Sequence, residues 1–329
     1  MTNIPILGWY HKQNVGDEAF KDVFRAAVRQ VDPSATLSFH TYALKSPTPE
    51  KILLGGGDVI RPFYLSKIPP GVRIVPMGVG LGYETEIDLL AEANVPFALF
   101  RNVEDVELAR LKGINAEYCP DLTYFLTEPE PWEINFGEGK TLGVLLSDEI
   151  SPTFERNQAK EYLYYEYFKW ELASILDFLG EFYNICFVSF STTESINDHK
   201  VSLDIYRRMS VRDRVSFITE PLSLPQALWT IGQFDLVISM KFHGIMFAVN
   251  QGVPFINIAE TRKTQQFCIE NDLAQLSIPR YSLARERFFK VVKVAEEEQT
   301  RQLIRATSTR LTDLTRKRLP DAICRFLTA

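Results

Sequence analysis

The chain has 329 residues, more than the roughly 250–300 at which one hydrophobic core usually stops growing, so two domains are expected. Apolar residues make up 46% and charged residues 24%, a globular balance that excludes a largely disordered chain. Basic residues number 36 and acidic residues 42, which leaves a net charge of −6. DNA and RNA binding need a basic field, so nucleic acid is not an expected partner.

The cysteines and histidines are few and widely spaced. The four cysteines form no C-x-x-C pair, and the four histidines form no H-E-x-x-H motif, so neither a disulfide framework nor a zinc site is expected. The N-terminal residues lack the pattern of a signal peptide, and no apolar run approaches the ~20 residues that span a bilayer. We therefore expect a cytoplasmic protein with reduced thiols and no transmembrane segment.

Short apolar runs alternate with amphipathic stretches in the first part of the chain, which is typical of a parallel sheet covered by helices. The expected strands are Ile4–Trp9, Thr36–Thr41, Lys51–Leu54, Arg73–Met77 and Phe97–Phe100. The expected helices are Glu18–Gln30, Glu84–Ala93 and Val103–Lys112. Residues 127–140 are rich in Pro, Gly and Glu without periodicity, which indicates a linker.

The same alternation starts again after the linker. Strands are expected at Thr141–Leu146, Asn184–Phe190, Val215–Phe217, Asp235–Ser239 and Pro254–Ile258. Helices are expected at Gln158–Leu179, Asn197–Met209, Leu224–Ile231, Gly244–Asn250 and Lys263–Asn271, and one or two charged helices follow from Leu283. The pattern predicts an α/β protein with two Rossmann-like, doubly wound domains that face a cleft. The domains would be residues 1–133 and residues 134–329, the second including the C-terminal helices.

Ligands of open parallel sheets bind beyond the carboxyl ends of the strands, and three loops of the first half lie there. The first loop runs through Asn14 and Gly16 to Asp17 and Glu18, which either stabilise the N-terminus of a helix or bind a substrate hydroxyl. The second is Gly55–Gly57, where the backbone can approach either another segment or a ligand. The third contains Gly78, Gly80 and Gly82; it is a weak dinucleotide fingerprint but a reasonable backbone cradle for an anion.

The fourth loop follows the strand Asp235–Ser239 and carries Lys241, His243 and Gly244 before an apolar helix. Lys241 and His243 are two residues apart, so an extended loop would turn both side chains to the same side. A cation and an acid–base group beside a helix N-terminus suit an anionic substrate and proton transfer. The alternative for His243 is a packed structural residue.

These loops together resemble the polysaccharide pyruvyl transferases. The resemblance rests on Asn14-x-Gly16-Asp17-Glu18, on Gly55–Gly57, and on Ile238-Ser239-x-Lys241-x-His243-Gly244 with a trailing Gly252-Val253-Pro254. It runs from about residue 8 to about residue 275. It implies a two-domain fold similar to the GT-B glycosyltransferases. It also implies transfer of a pyruvyl ketal from phosphoenolpyruvate to a sugar of a surface polysaccharide or glycan.

The resemblance also implies roles for individual residues. His243 matches the catalytic histidine, Lys241 stands where the family has arginine, and Arg101 and Lys263 match substrate-binding residues. Asp17 would orient or deprotonate the attacking hydroxyl. The remaining substrate-binding candidates come from the same loops: Asn14, Glu18, Gly56, Gly57, Gly80 and Gly244. Pro120–Asp121 matches the family's Pro-Asp segment.

Three segments depart from the family's pattern. Lys241 loses the bidentate fork of arginine, Asn102 and Asp105 replace the Asp and Ser of an R-D-x-x-S segment, and Glu260 replaces a tyrosine. These changes leave open a different acceptor, a different donor or lost activity.

The expected partners are phosphoenolpyruvate and a carbohydrate acceptor, either a saccharide or a lipid-linked oligosaccharide. No cofactor is expected, although a loosely held Mg²⁺ beside the phosphate is left open. The sequence leaves the oligomeric state undecided. His11 and the aromatic residues Trp9, Tyr10, Phe63 and Tyr64 are candidates for contact with the acceptor sugar, with packing as the alternative.

Two other functions remain open at this point. A GT-B glycosyltransferase with a nucleotide-sugar donor would share the fold and a basic pocket, and Glu260 would then be a candidate for binding the ribose. A non-catalytic glycan-binding member of the family would explain the departures at Lys241, Asn102 and Glu260. An NAD-dependent oxidoreductase is a more distant alternative because a proper fingerprint is lacking.

Overall fold

The computed structural model describes residues 3–42, 44, 49–147, 158–193, 196–259 and 261–328. They form two compact units, each built on one parallel six-stranded sheet. The first unit consists of residues 1–12, 16–127 and 309–329, and the second of residues 13–15 and 128–308. The helices flank strands that run in one direction, so the predicted α/β, doubly wound class is confirmed.

The sheet of the first unit changes its direction of winding beside its first strand. Its strands are β1 (Asn3–Leu7), β2 (Thr36–His40), β3 (Lys51–Gly57), β4 (Arg73–Val79), β5 (Ala98–Phe100) and β6 (Ala116–Tyr118). Its first four helices are α1 (Val15–Val31), α2 (Pro62–Leu65), α3 (Glu86–Ala91) and α4 (Val103–Leu111). The strand order is β2-β1-β3-β4-β5-β6, so the chain turns to one side after β1 and to the other after β2. The switch point lies between β1 and β3.

The second unit repeats this design. Its strands are β7 (Lys140–Leu145), β8 (Tyr183–Val188), β9 (Val215–Ile218), β10 (Leu236–Ser239), β11 (Phe255–Ala259) and β12 (Ser277–Pro279). Its helices are α5 (Gln158–Leu179), α6 (Asp198–Arg208), α7 (Leu224–Gly232), α8 (Phe242–Asn250), α9 (Arg262–Glu270) and α10 (Arg285–Glu296). The strand order β12-β11-β10-β7-β8-β9 puts its switch point between β7 and β10.

Packing explains the apolar composition of α1 and α8. Phe20 and Phe24 of α1 are completely buried against Gly55 and Gly56 of β3. In α8, every residue from Gly244 to Val249 is buried, which a helix with apolar residues on all sides requires. The expected run of strand, loop and apolar helix from Asp235 is therefore a central strand followed by a core helix.

The last helix, α11 (Glu298–Thr328), belongs to both units. Residues 309–329 group with the first unit, whereas the sequence placed the C-terminal helices with the second domain. Hydrogen bonds hold this part of α11: Arg318 donates to the Tyr118 carbonyl, and Lys51 Nζ donates to the Phe326 carbonyl over 2.6 Å. Such long-range pairing carries no local sequence signal.

The other differences lie at the edges of the elements. The strands β6 and β12 and the helix α2 were not predicted, because runs of three or four residues show no periodicity. The strand β3 extends through all three glycines instead of ending at Leu54. No helix of the described residues is long and apolar enough to cross a membrane.

Candidate active site

The two switch points gather most of the residues that the sequence singled out. In the first unit, the loop after β1 leads to Asp17, and β3 ends in Gly56 and Gly57. In the second unit, the segment after β10 carries Lys241 and His243. Ligands of open parallel sheets bind beside such switch points, so the topology supports both positions as binding sites.

Lys241 is held by a buried carboxylate in the second unit. Its Nζ lies 2.9 Å from Asp198 Oδ1 and donates to Ser191 Oγ over 3.2 Å. The side chain of Lys241 is 11% exposed and that of Asp198 is not exposed at all. Removal of either partner would leave the other charge buried and uncompensated.

Asp198 also shapes the loop that follows β8. Its Oδ2 accepts the backbone N–H groups of Phe190 (3.2 Å) and Ser191 (2.8 Å), while Asn197 caps α6 by accepting the His199 N–H. The sequence did not single out Ser191 or Asp198. The available signal was a run of hydroxyl and acidic residues directly after a strand, at the edge of the sheet where ligands bind.

Asn14 joins the same polar cluster. Its side-chain amide donates to Ser191 Oγ over 3.2 Å, and the Val15 N–H donates to the Phe190 carbonyl over 2.8 Å. The structure therefore brings Asn14 and Lys241 together on one serine hydroxyl, although the two residues are 227 positions apart in the sequence. The predicted site residue Asn14 thus belongs to the second unit, not to the first.

His243 lies in the first turn of α8, so the expectation of an extended loop through this residue is wrong. Lys241 is the N-cap with extended backbone, and the helix begins at Phe242. Ser239 makes this turn, because its hydroxyl donates to the Lys241 carbonyl (2.9 Å) and accepts the Lys241 N–H (3.0 Å). The half-buried His243 ring packs against Phe242 and Phe247, with centroids 5.4 and 5.9 Å away.

Gly244 is required by packing. A Cβ at this position would lie 2.4 Å from Ser239 Oγ, the hydroxyl that forms the turn. Lys263 is the second residue of α9 and is half-buried. Glu260, the third departure from the family's pattern, lies outside the described residues.

Arg101 of the first unit is part of a buried ion-pair network. Its guanidinium lies 2.5 Å from Asp58 and 3.2 Å from Asp121, and its side chain is 2% exposed. Burial lowers the pKa of Arg101, but the charges of Asp58 and Asp121 outweigh burial and raise it overall. The guanidinium also explains Gly80, because a Cβ there would lie 2.7 Å from Arg101 Nε. The structure thus gives both residues a role within the first unit, and their substrate contacts stay a prediction.

The glycine loop after β4 binds carboxylates of the protein itself. Asp105 accepts the Leu81 N–H over 3.0 Å, and Glu86 accepts the Gly82 N–H over 2.7 Å. The expected anion cradle therefore already contains anions. Asn102 donates to Asp105 over 2.7 Å, so the two exchanged residues, at the second and fifth positions of the segment that begins at Arg101, bond to each other.

Asp17 and Gly57 lie together at the switch point of the first unit. A Cβ on Gly57 would be 3.1 Å from Asp17 Oδ1. Burial is the larger cause that raises the pKa values of Tyr10 and Tyr64, and the negative charge of the half-buried Asp17 carboxylate raises them further. Glu18 accepts the Lys12 N–H over 2.8 Å and pairs with Lys21, which is a structural role in the loop and helix.

Two of the four aromatic candidates are core residues. Tyr10 is completely buried and its hydroxyl donates to the Gly55 carbonyl over 2.7 Å, and Tyr64 is 5% exposed. Neither ring is available to stack on a sugar. Trp9 is half-buried and Phe63 is exposed, so these two stay candidates. His11 is exposed and has a positive φ of 59°.

Solved structures with similar folds include complexes with UDP and with UDP-sugars. The chain is similar to S. aureus MnaA in complex with UDP (TM-score 0.67, 11% identity, 100% of this chain and 97% of that one). It is similar to Anabaena HepE in complex with UDP-glucose (TM-score 0.62, 10% identity, 100% of both chains). A further match is UDP-GlcNAc 2-epimerase from Neisseria meningitidis bound to UDP-GlcNAc (TM-score 0.57, 8% identity, 95% and 99%). At such identities the likeness shows the fold alone, which is GT-B-like.

The comparison at the level of sequence families is more specific. No curated protein matches the chain. The family described as polysaccharide pyruvyl transferase matches residues 14–262, a range that includes Asp17, Arg101, Lys241 and His243 and ends one residue before Lys263. This range is most of the 329 residues. The chain therefore belongs to the polysaccharide pyruvyl transferase family.

Proposed function

We propose that the protein transfers the pyruvyl group of phosphoenolpyruvate to two hydroxyls of one sugar residue in a glycan. Family membership supports a transferase that acts on glycans; the donor and the ketal product are our proposal. The observation that carries it is the position of Lys241 and His243, which lie within the range matched by the family and follow β10 at the switch point of the second sheet.

The donor needs local positive charge, because phosphoenolpyruvate carries roughly three negative charges at neutral pH. Lys241 at the N-cap of α8 and Lys263 in the first turn of α9 provide two cations, each beside the positive end of a helix dipole. Arg101 lies in the first unit, where Asp58 and Asp121 already compensate its charge. Binding at Lys241 would share the ammonium between the donor and Asp198.

Proton transfer by His243 starts the reaction. The imidazolium donates its proton to C3 of the enol, and C2 gains oxocarbenium character. One sugar hydroxyl attacks C2 and loses its proton to water. The C2–O bond to phosphate then breaks, and the second hydroxyl closes the ketal and releases its own proton. Inorganic phosphate leaves with the bonding electrons, and Lys241 stabilises its charge.

Incubation with phosphoenolpyruvate labelled with ¹³C at C2 tests the proposal. A glycan acceptor is expected to gain a labelled quaternary ketal carbon, detected by NMR, with one phosphate released per ketal. Phosphate release without acceptor dependence, or no labelled ketal with any of a panel of bacterial glycans, would contradict it. Calorimetric titration with phosphoenolpyruvate distinguishes the transferase from a non-catalytic glycan-binding protein. The transferase is expected to give a measurable Kd, whereas the glycan-binding protein would give no heat.

A nucleotide-sugar glycosyltransferase is the second candidate. The observation that favours it is the fold shared with proteins bound to UDP and UDP-glucose. A parallel incubation with UDP- and CMP-sugars distinguishes the two. Release of a nucleotide, with no consumption of phosphoenolpyruvate, would support the glycosyltransferase.

A further inference from the structure

Three loops of the first unit place two exposed aromatic rings, one half-buried ring and two lysines side by side. Trp9 and Lys12 follow β1, Tyr42 follows β2, and Phe63 and Lys67 lie in and after α2, which follows β3. We call these five residues the aromatic–lysine patch. Because the sheet order begins β2-β1-β3, the patch extends across the carboxyl ends of three neighbouring strands at the switch point.

The rings of the patch contact one another and remain accessible. Phe63 lies 6.3 Å from both Trp9 and Tyr42, centroid to centroid, in edge-to-face arrangements. Tyr42 is 57% and Phe63 44% exposed, although large apolar side chains are usually covered. The ring of buried Tyr64 packs against Phe63, with the two centroids 5.0 Å apart.

Both ammonium groups lie over these rings. Lys67 Nζ is 2.9 Å from the Phe63 centroid and 5.2 Å from that of Tyr42. Lys12 Nζ is 4.6 Å from the Tyr42 centroid and 5.3 Å from that of Trp9. The two lysines therefore lie on a shared aromatic surface, with one ring, Tyr42, in contact with both.

The two lysines differ from two other cations that the sequence singled out, one in each unit. Arg101 and Lys241 are each paired with buried carboxylates. Among the residues that the structure describes, no carboxylate forms an ion pair with Lys12 or Lys67. Lys12 Nζ donates to the Tyr42 hydroxyl, and Lys67 Nζ donates to the Thr41 carbonyl over 3.4 Å. Their positive charge is thus not compensated within this part of the chain.

We propose that the aromatic–lysine patch is a subsite for a uronate residue of the glycan acceptor. The apolar C–H face of the pyranose would pack on Phe63 and Tyr42, and the carboxylate would displace the lysines from the rings and pair with them. The inference rests on the proposed function in that it treats the glycan as the acceptor.

A carboxylate suits the patch better than a phosphate. Asp17 and Glu18 follow in the segment that carries Lys12, and their charges oppose a multiply charged group more than a single carboxylate. A neutral sugar would leave the two ammonium groups without a charged partner. The combination of exposed rings and two uncompensated cations therefore favours a sugar that is itself an acid.

Calorimetric titration of the full chain, without donor, tests this subsite. The probes are a disaccharide that contains glucuronate, the matching neutral glucose disaccharide, and glucose 1-phosphate. The acidic disaccharide is expected to bind at least about tenfold more tightly than the neutral one, which is the scale of one charge-assisted bond. Equal affinities, tighter binding of glucose 1-phosphate, or no binding of the acidic probe would overturn the proposal.

Substitutions locate the binding. Lys12→Met and Lys67→Met keep most of the side-chain length, and each is expected to weaken acidic-probe binding about three- to tenfold. Lys112→Met is the matched control, because Lys112 is an exposed lysine of the same unit that pairs with Asp88. Unchanged affinity in both patch variants, or an equal loss in the control, would overturn the subsite.

The two proposals fail separately. Loss of acidic-sugar binding in the patch variants, with no ketal formed by the unaltered protein, would refute the pyruvyl transfer and support the subsite. Ketal formation on a glycan that contains glucuronate, at the same rate in Lys67→Met as in the unaltered chain, would refute the subsite and support the transfer. Affinity for phosphoenolpyruvate is expected to be the same in Lys12→Met, Lys67→Met and the unaltered chain.

Discussion

Arg101 and Lys241 show how the same charge has different consequences in the two units. The side chain of Arg101 is 2% exposed and pairs with two carboxylates. Its main role in the structure is therefore to link Asp58, which follows β3, to Asp121. Lys241 has one carboxylate partner and a side chain that is 11% exposed at a helix N-terminus. For the proposed transfer from phosphoenolpyruvate, Lys241 is therefore a better candidate than Arg101 for the cation that binds the donor phosphate.

The pair of Lys241 and Asp198 is expected to stabilise the second unit. Lys241→Met should lower the free energy of unfolding by about 3 kcal/mol, because the completely buried Asp198 loses its partner. Hydrogen exchange at the Ser191 amide, whose proton Asp198 accepts, measures the effect locally. The double variant Lys241→Met/Asp198→Asn removes both charges and should recover most of the loss. Additive losses from the two substitutions would contradict the pairing.

His243 has the clearest expected effect on activity. His243→Ala should lower the rate of ketal formation about 10²–10⁴-fold, since it removes the proposed proton donor, with little change in the affinity for phosphoenolpyruvate. The measurement is phosphate release under saturating donor. His40→Gln is a control, because His40 lies at the end of β2 and contacts Ser38. A His243→Ala enzyme with a near-normal rate would end this assignment.

At the scale of elements, the packing of α1 against β3 shapes the backbone at the switch point of the first unit. Gly56 has a φ of +74°, and a Cβ there would lie 2.2 Å from the Phe20 ring. The close approach of α1 to β3 thus explains the glycine run without a ligand. The carboxyl end of the strand remains beside Asp17, so packing and binding are both compatible with this sequence.

A comparison of two glycines separates backbone strain from packing. Gly71 also has a positive φ, +85°, but a Cβ there would meet nothing within 4 Å. Gly71→Ala should therefore cost about 1 kcal/mol for the backbone alone. Gly56→Ala should cost about 2–4 kcal/mol, because it adds a collision with a buried ring to the same strain. Urea unfolding of the two variants provides the test, and equal losses would contradict the packing explanation.

At the scale of the whole molecule, the last turns of the chain complete the first unit. Leu311, Leu319, Ile323 and Phe326 of α11 are at most 2% exposed. Burial of four such side chains stabilises by roughly 8 kcal/mol, which is comparable to the stability of an entire domain. The C-terminal part of α11 is thus essential to a unit whose sheet begins at residue 3.

Truncation after Ser308 is expected to unfold the first unit selectively. Limited proteolysis followed by mass spectrometry should show early cleavage within residues 16–127, while residues 158–308 stay protected. Phe326→Ala should give the same pattern more weakly, at a cost of about 3–5 kcal/mol. Cys324→Ser is the control, because Cys324 is exposed on the same helix. Equal protection of both units in the truncated chain would refute this role.

The sequence by itself determined the repeated α/β pattern, most strands and the segments that carry the candidate chemistry. These features are local: a buried strand is an apolar run, a helix has its own periodicity, and Lys241, His243 and Gly244 lie within four consecutive positions. The resemblance built on those segments is confirmed at the level of the family by the match over residues 14–262.

Only the tertiary structure decided which charges are compensated and which segments share a unit. Asp198 pairs with Lys241, Asn14 joins Ser191, and residues 309–329 group with the first unit, all across many residues of chain. The exposure of side chains was also not predictable from the sequence. Tyr10 and Phe63 are both aromatic residues that follow a predicted strand, yet Tyr10 is buried and Phe63 is 44% exposed. Sheet order and packing bring distant residues together, and no local pattern in the chain records which partner each of them meets.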